Sequence, residues 1–425
     1  MVRLKENKFY TEDKAIEPLP LPARVCIPLI QHLGKACSPL VKVGDYVSVG
    51  QKIGSVQAHV YSPIHASISG KVTAISDYPH PILGRAKAII IEGESNVAAS
   101  TIPSRPLQEV NRLSSEDIIK IIFDCGIVGM GGASFPTHIK LSPPKPVDTL
   151  IINGAECEPY LTADYRLMVE NVEKLIKGVE LAARCLGARE VFIAIEDNKP
   201  EAIKLFDKAL PDRAFKLKVL ESHYPQGGEK QLIKSVLGKE VPRGKLPFDL
   251  GVVVQNVATV LAIYEAVYLN KPLFERVVTV TGSILENPKN VLVRIGTPIK
   301  ELIKSCSPLK EDPAKIIMGG PMMGISQYTE EVPVIKSTNG VLLLSRKEAR
   351  YLEEEYCIRC GACVRECPAG LLPCMINLAS EKGIWQEAIN YGALDCIECG
   401  VCSYVCPANR RLVQSIKRAK LEAVK

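Results

Sequence analysis

Length, composition and charge indicate an ordinary globular protein with several domains. The chain has 425 residues, of which 47% are hydrophobic and 24% are charged. It is therefore too long for one compact core, and three or four domains are expected. The formal net charge of +6 is small for this length and only 5% of the residues are aromatic, which disfavours a zinc-stapled nucleic-acid binder.

The hydropathy pattern gives no sign of export or membrane insertion. Charged and polar residues continue from the N-terminus through Lys14, which leaves no apolar run for a signal peptide. No stretch approaches the about 18 uninterrupted apolar residues of a spanning helix. We therefore expect no transmembrane helix, and any membrane association to go through protein partners.

The first region, from Val25 to Glu92, reads as short strands separated by turns. Its alternating valines, with glycine at turn positions, predict a small all-β unit. The stretch resembles the barrel-sandwich hybrid fold of biotinyl and lipoyl carrier domains. The lysine that those carriers modify is missing, since the turn reads His65, Ala66, Ser67. A structural or docking role is therefore the better interpretation.

After a linker with Pro103 and Pro106, strands alternate with helical stretches. This order is typical of a largely parallel sheet flanked by helices. The predicted strands are 149–153, 191–195, 217–220 and 251–255, and the predicted helices are 165–186, 201–210, 229–237 and 257–269. Flavin or nucleotide binding is expected where such strands end.

After Pro272 the sequence returns to β character and resembles the soluble-ligand-binding β-grasp module. From Leu342 onward the pattern is helical, apart from two cysteine motifs. Near the end, a predicted helix carries a basic cluster that we interpret as a solvated face, with docking of an acidic partner as the alternative. The cluster consists of Arg410, Arg411, Lys417, Arg418, Lys420 and Lys425.

Eight of the fifteen cysteines form two motifs of the type C-x2-C-x2-C-x3-C-P. A large chain without a signal peptide is expected in a reducing compartment, where grouped cysteines act as metal ligands. The remaining seven, Cys26, Cys37, Cys125, Cys157, Cys185, Cys306 and Cys374, are scattered and are expected to be small buried hydrophobes.

The spacing of the motifs predicts two [4Fe–4S] clusters with crossed ligation. Three closely spaced thiolates can bind one face of a cubane, while the fourth points to the second cluster. One cluster would be bound by Cys357, Cys360, Cys363 and Cys406, and the other by Cys396, Cys399, Cys402 and Cys367. Zinc is the alternative, although zinc modules usually supply their cysteines as separated pairs.

A glycine-rich turn, G-I-V-G-M-G-G-A-S-F-P-T-H-I-K, spans Gly126 to Lys140. Glycines allow backbone amides to approach a phosphate or a flavin ring, and Lys140 could supply a matching charge. Three further segments lie at predicted strand ends or helix starts: I-I-N-G-A-E-C-E-P from Ile151, Y-P-Q-G-G-E-K from Tyr224 and Q-N-V-A-T from Gln255.

Together these segments resemble the FMN- and NADH-binding subunit of respiratory complex I, and still more closely the C subunit of Rnf complexes. The second resemblance extends over nearly the whole chain in the same domain order. It implies non-covalent FMN, with Phe135 near the nicotinamide of NAD(H). The implied cofactor-binding residues are Gly129, Gly131, Gly132, Phe135, Lys140, Asn153, Glu156, Tyr224, Gly228, Glu229, Asn256 and Thr259.

Three positions depart from the complex I pattern. That pattern has glycine at the position of Ser134 and carboxylates at those of Gly228 and Ala258. The nucleotide contacts of complex I are therefore not carried over to these positions.

The predicted fold class is a multidomain α/β protein with four domains behind an N-terminal arm. They are a barrel-sandwich hybrid, a Rossmann-like FMN- and NADH-binding α/β domain, a β-grasp module and a helical dicluster ferredoxin domain. Residues 1–21 form the arm, and the domains are 22–95, 105–271, 272–338 and 339–425 in that order.

The resemblance implies a peripheral subunit of a membrane-bound ferredoxin:NAD+ oxidoreductase that couples electron flow to Na+ or H+ transport. Flavin carries the hydride transfer, so no side-chain nucleophile is required. The implied partners are other Rnf-type subunits, including integral membrane subunits and an iron–sulfur subunit, at the cytoplasmic face of the membrane. The alternatives are a soluble cobalamin-reductase-like flavoprotein and a non-catalytic iron–sulfur relay or assembly scaffold.

Overall fold

The N-terminal region forms an arm followed by two small facing β-sheets. The computed structural model describes residues 2–93, 103–210, 215–350 and 352–423. The arm contains a short 3-10 turn, Lys8–Tyr10, and strand β1 (Ile16–Pro18). The two sheets have the orders β2-β8-β7-β4 and β3-β5-β6 and are antiparallel. Their strands are β2 (Arg24–Pro28), β3 (Ser38–Pro39), β4 (Tyr46–Val47), β5 (Lys52–Ser55), β6 (Ile64–His65), β7 (Gly70–His80) and β8 (Gly84–Gly93).

The turn at the position of the carrier lysine is buried against a neighbouring domain. His65, Ala66 and Ser67 are at most 4% exposed. The Ser67 hydroxyl donates a hydrogen bond of 2.5 Å to the backbone carbonyl of Ile295. This placement agrees with the docking role expected from the sequence, because a buried turn is not presented to a modifying enzyme.

The third region is an α/β unit around a four-stranded parallel sheet. The sheet order is β11-β10-β9-β12. Its strands are β9 (Thr149–Gly154), β10 (Glu190–Glu196), β11 (Phe215–Leu220) and β12 (Val252–Asn256). The helices are α1 (Leu107–Arg112), α2 (Ser115–Asp124), α3 (Thr137–Lys140), α4 (Ala163–Glu170), α5 (Val172–Leu186), α6 (Pro200–Ala209), α7 (Glu229–Leu237) and α8 (Val257–Leu269).

Helices cover both faces of this sheet, as predicted for a parallel sheet. Helices α2, α5 and α8 pack on one face and share its large apolar core. On the other face, Leu232 and Ile233 of α7 pack against the strands. The predicted helix 165–186 is divided in the structure, because Asn171 leaves the helical conformation between α4 and α5.

The β-grasp region forms a six-stranded sheet that also incorporates the arm. The region contains β13 (Glu275–Thr281), β14 (Lys289–Arg294), α9 (Ile299–Ser305), β15 (Lys315–Met318), β16 (Ile325–Ser326) and β17 (Gly340–Leu344). The order is β1-β14-β13-β17-β15-β16, with β1 parallel to β14. The arm is therefore part of this sheet rather than a free extension.

Strand β17 lies inside the sequence range that was predicted to be helical. It pairs with β13 in parallel and with β15 in antiparallel orientation. A short apolar run such as Val341–Leu344 has no periodicity that separates a buried strand from a helix. The β-sheet thus extends past the predicted limit of 338, and the domain limits themselves stay a prediction.

The C-terminal region is helical and holds both cysteine motifs. Its helices are α10 (Ala362–Arg365), α11 (Pro373–Glu381), α12 (Trp385–Asn390), α13 (Val401–Tyr404) and α14 (Leu412–Ala423). Helices α11, α12 and α14 enclose a small core that includes Ile376 and Ile416. Among residues 2–93, 103–210, 215–350 and 352–423, no helix is long and apolar enough to cross a bilayer.

The basic residues before and along α14 pair with neighbouring groups, although Arg411 and Lys417 remain about half exposed, at 51% and 44%. Arg410 pairs with Glu354 and Glu381, and Arg411 also pairs with Glu354. Lys417 and Lys420 both pair with Glu398. The Arg418 guanidinium lies over the Trp385 ring. Lys425 lies outside the described residues.

The contact between α5 and α8 predicts an unusual response to a helix-favouring substitution. A Cβ atom at Gly178 would lie 2.3 Å from the backbone oxygen of Val260. Gly178→Ala should therefore destabilise the protein by roughly 1–3 kcal/mol through overpacking, although alanine normally favours a helix by about 1 kcal/mol over glycine.

Chemical denaturation followed by circular dichroism measures this effect. Glu180→Ala, at an exposed position of the same helix, is the control and should change the unfolding free energy by less than about 0.5 kcal/mol. A more stable Gly178→Ala protein would contradict the close contact.

Candidate functional site

The crevice of the parallel sheet lies between β9 and β12. From one edge of the sheet to the other, the strands are the third, second, first and fourth in the chain. The strand order therefore reverses between β9 and β12. Ligands of open α/β sheets bind at such a switch point, outside the carboxyl ends of the strands. Asn153 and Asn256 are paired neighbours in this register, at the carboxyl ends of β9 and β12. The structure thus brings two predicted site residues together at the floor of the crevice.

The glycine-rich turn is fixed to the first turn of α8. The Thr259 hydroxyl is fully buried and accepts a hydrogen bond of 2.9 Å from the Met130 amide. Asn256 caps α8 by accepting from the Ala258 amide at 2.9 Å. A Cβ atom at Gly131 would lie only 3.0 Å from the Asn256 Cβ atom. Glycine at position 131 therefore permits the turn to approach the crevice closely.

The turn closes on itself through its own backbone. The Gly129 amide donates to the Phe135 carbonyl at 2.8 Å. Gly132 has a φ of 155° and Ser134 a φ of 52°. Ser134 thus occupies a left-handed conformation, which glycine adopts without steric cost. Phe135 is half-buried.

An ion pair links Lys140, at the end of the glycine-rich segment, to Glu229, at the start of α7. The Lys140 Nζ atom lies 2.6 Å from Glu229 Oε1, and both side chains are partly exposed. Glu229 is the first residue of α7, and Gly228 is its N-cap. Two predicted site residues are therefore partners of one another in the structure, so the positive charge of Lys140 is already balanced.

The carboxylate of Glu156 holds a helix end. Its two oxygens accept hydrogen bonds from the amides of Asp164 at 2.8 Å and Tyr165 at 3.1 Å, in the first turn of α4. The carboxylate therefore satisfies backbone amides at the start of α4. A direct role of Glu156 toward a flavin stays a prediction.

Asp164 is a site residue that the sequence analysis missed. It lies beside Asn256, whose Nδ2 atom donates to its carboxylate at 2.6 Å, and it is partly buried. Burial, reinforced by the nearby Glu156 carboxylate, raises the pKa of Asp164 to about 7. In the sequence, an aspartate at the start of a helix reads as an ordinary helix-favouring residue, so no pattern distinguished it.

Tyr224 connects the crevice domain to the second cysteine motif. Its hydroxyl donates to the backbone carbonyl of Cys399 at 2.8 Å, and the side chain is only 2% exposed. The family resemblance implies that Tyr224 contacts the flavin. The structure shows that its hydroxyl is engaged by the motif instead, and a flavin contact by the rest of the residue stays a prediction.

A loop of the β-grasp region completes this junction. The Glu158 carboxylate accepts hydrogen bonds from the amides of Met322 at 2.7 Å and Met323 at 3.0 Å. A Cβ atom at Gly400 would lie 2.8 Å from the Met322 carbonyl oxygen. Burial raises the pKa of Glu158. Glu158 was present in the segment that begins at Ile151, but the sequence offered no sign that it bridges two domains.

The second motif and one cysteine of the first motif surround a common pocket. Its wall contains Cys367, Cys396, Cys399 and Cys402, together with apolar side chains such as Leu371 and Ile416. This is the crossed ligand set predicted from the spacing. Nowhere in the described part of the chain do three His, Cys, Asp or Glu side chains converge on the position of a single ion.

The other predicted ligand set is more open. Cys363 lies beside Cys406, whereas Cys357 and Cys360 are exposed. Cys374, which the sequence analysis treated as a scattered cysteine, contacts Cys363. The two thiol groups therefore differ in exposure: one is enclosed next to Tyr224, and the other opens to solvent.

Four family models match successive parts of the chain. They are the RnfC barrel sandwich hybrid domain at residues 2–96, the Nuo51 FMN-binding domain at 122–265, the SLBB domain at 277–326 and a 4Fe-4S dicluster domain at 349–407. These matches confirm the predicted fold class and support FMN and two [4Fe–4S] clusters as cofactors. A chain of an NAD+-reducing [NiFe]-hydrogenase is similar in fold, with 18% identity and a TM-score of 0.52 over 75% of this chain and 68% of that one.

Curated relatives match over nearly the full length. The chain is 48% identical to the C subunit of the proton-translocating ferredoxin:NAD(+) oxidoreductase complex of Clostridium ljungdahlii, covering 98% of this chain and 92% of that protein. It is 44% identical to the Na(+)-translocating counterpart of Acetobacterium woodii, covering 95% and 91%. It is 43% identical to the C subunit of the ion-translocating oxidoreductase complex of Rhodobacter capsulatus, covering 97% and 80%. The chain therefore belongs to the family of C subunits of Rnf complexes.

Proposed function

We propose that this chain is the peripheral electron-transfer subunit of a membrane-bound, ion-translocating ferredoxin:NAD+ oxidoreductase. It exchanges hydride between NAD(H) and FMN, and single electrons with two [4Fe–4S] clusters. The observation that carries the proposal is the hydrogen bond from Tyr224 to the Cys399 carbonyl, because it joins the crevice domain directly to the enclosed thiol group. The relatives favour this function over a soluble cobalamin-reductase-like protein or a non-catalytic scaffold.

The crevice residues suit a flavin nucleotide. The Asn153 and Asn256 amides each donate one N–H within the protein, to the Gly227 carbonyl and the Asp164 carboxylate, and have a second N–H to offer to a flavin. The start of α8 with Thr259 favours a phosphate group. Gly131 keeps the approach open, since a larger residue would meet Asn256. When bound, FMN supplies the conversion between two-electron and one-electron transfer. The residues of the chain orient it and exclude water from it.

The Lys140–Glu229 ion pair is the group best placed to respond to nucleotide binding. Both side chains lie at the crevice and both retain partial exposure, 29% for Lys140 and 39% for Glu229. A phosphate or ribose hydroxyl that enters can engage one partner in place of the other. The remaining predicted contacts, Gly129, Gly132, Phe135, Glu156, Gly228 and Tyr224, surround these groups and belong to the same proposal.

The two clusters take different places in the electron path. The enclosed group, Cys367, Cys396, Cys399 and Cys402, lies next to Tyr224 and is the flavin-proximal cluster. The open group, Cys357, Cys360, Cys363 and Cys406, is the terminal cluster. All residues from Leu352 to Cys360 are exposed, and this segment, the exposed strip, includes Tyr356 at 92% and Ile358 at 68% exposure.

The exposed strip is the surface through which a one-electron partner docks. Apolar side chains around two exposed ligand cysteines combine a hydrophobic contact with a short route for one electron. In the complex this partner is the iron–sulfur subunit, and integral membrane subunits hold the assembly at the cytoplasmic face of the membrane. NAD(H) binds separately, at the crevice.

The flavin site can be tested at Gly131. Gly131→Val should reduce FMN per chain at least tenfold while iron per chain stays unchanged, since the added side chain meets Asn256 but touches neither cysteine motif. Flavin fluorescence after acid release and iron analysis measure the two quantities. Ala133→Val, at an exposed position of the same turn, is the control. Equal flavin occupancy in Gly131→Val and the parent would count against the site.

Crossed ligation can be tested with one cysteine from each motif. Cys406→Ala should alter the electron paramagnetic resonance signal of the terminal cluster and leave the flavin-proximal signal intact. Cys367→Ala should do the reverse, because each fourth thiolate serves the cluster of the other motif. The opposite assignment of the two signals would refute crossing and would support ligation within each motif.

The docking surface can be tested at Tyr356. Tyr356→Glu should slow electron transfer between this chain and the other subunits at least tenfold, equivalent to about 1.4 kcal/mol. NADH oxidation by a small artificial acceptor should be unaffected. Stopped-flow absorbance measures both rates. Leu107→Glu, an equally apolar position that is 61% exposed on α1, is the control, and an equal loss in both variants would argue against a specific surface.

A further inference from the structure

Each cysteine motif has one cation bonded to the backbone of a ligand cysteine. The Lys420 Nζ atom donates to the Cys396 carbonyl at 2.6 Å. In the first motif, the Arg365 guanidinium donates to the Cys360 carbonyl at 2.8 Å. Lys420 belongs to α14, which follows the second motif in the chain. The fold therefore delivers a positive charge to the enclosed cluster from outside the motif.

The surroundings of the two cations differ. Arg365 is exposed, so solvent and salt screen its charge. The Lys420 side chain is only 23% exposed, and a charge acts more strongly where water is partly excluded. Lys420 is thus the cation with the larger electrostatic effect on its neighbouring thiolates.

Glu398 pairs with Lys420, which the Cys396 carbonyl also holds, and is itself fixed by the motif. The Glu398 amide lies 3.3 Å from the Cys396 Sγ atom, and its φ is 57°. Its carboxylate bonds Lys420 at 2.8 Å and lies 3.4 Å from Lys417. Arg359 occupies the same position of the first motif, with a φ of 55°. The backbone geometry repeats between the motifs, but the charge at this position is reversed.

We propose that Lys420 is a positioning residue that sets the reduction potential of the flavin-proximal cluster. Exclusion of water disfavours the extra negative charge of a reduced cluster, and charge near a cluster is one of the factors that tune its potential. A fixed ammonium at Cys396 opposes the effect of burial and raises the potential of that cluster. The inference rests on the ligand sets of the proposed function.

The test is a redox titration of the full-length holoprotein, monitored by electron paramagnetic resonance. Lys420→Gln removes the charge and should lower the ratio of reduced to oxidised flavin-proximal cluster roughly tenfold at a fixed potential, about 59 mV for one electron. Lys420→Arg keeps the charge and should stay close to the parent. Glu398→Gln removes a negative charge and should shift the ratio in the opposite direction.

Arg365→Gln is the matched control at the terminal cluster. It should change the ratio of reduced to oxidised terminal cluster less than Lys420→Gln changes that ratio for the flavin-proximal cluster, because Arg365 is exposed. If Lys420→Gln keeps the parental iron content and the midpoint potential of its flavin-proximal cluster is unchanged, the proposal is overturned. A shift in Lys420→Arg equal to that in Lys420→Gln would also overturn it. If Lys420→Gln loses iron, the test passes to Glu398→Gln. An unshifted or lowered midpoint potential of the flavin-proximal cluster in that variant overturns the proposal. A parent protein without two titratable clusters would instead reject the ligand sets themselves.

Discussion

The buried ammonium of Lys8 fixes the loop on which the contacts between domains beside the functional site depend. Its Nζ atom donates to three backbone carbonyls, those of Glu156 at 2.8 Å, Glu158 at 3.0 Å and Leu161 at 2.6 Å. Burial lowers the pKa of Lys8, and three strong acceptors repay part of the cost of removing the charge from water. The loop that it fixes carries Glu156 toward α4 and Glu158 toward the β-grasp loop. The arm therefore acts on the site through this loop.

A second buried lysine joins the remaining domains in a comparable way. Lys336, in the turn before β17, donates to the carbonyls of Pro63 and Gly126, both at 2.7 Å. Pro63 lies in the barrel-sandwich hybrid, and Gly126 begins the glycine-rich turn. Burial lowers the pKa of Lys336 to about 7. The glycine-rich turn is thus held at one end by Lys336 and in its middle by Thr259, which leaves little freedom for the backbone that faces the crevice.

Local patterns in the sequence predicted most of the parallel sheet and the cysteine chemistry. Helices 229–237 and 257–269 were predicted with the observed limits, because a glycine and a capping asparagine mark their starts. The crossed thiol set around the pocket followed from the spacing alone. Strand β17 and the orientation of Tyr224 were not predictable in this way. Both depend on a partner distant in the chain, β13 for the strand and Cys399 for the hydroxyl.

The two thiol groups differ in exposure, which agrees with one cluster serving the flavin that exchanges hydride and the other serving one-electron exchange with another subunit. Hydride exchange needs a site where the nicotinamide meets the flavin and water is excluded. One-electron exchange with another subunit needs a redox group near the surface. Cys399 and Cys402 are buried beside the crevice domain, whereas Cys357 and Cys360 are exposed. In the arrangement that we propose, the enclosed cluster lies between the flavin and the open cluster, which would keep the partner surface away from the nucleotide and allow both reactants to be bound at the same time.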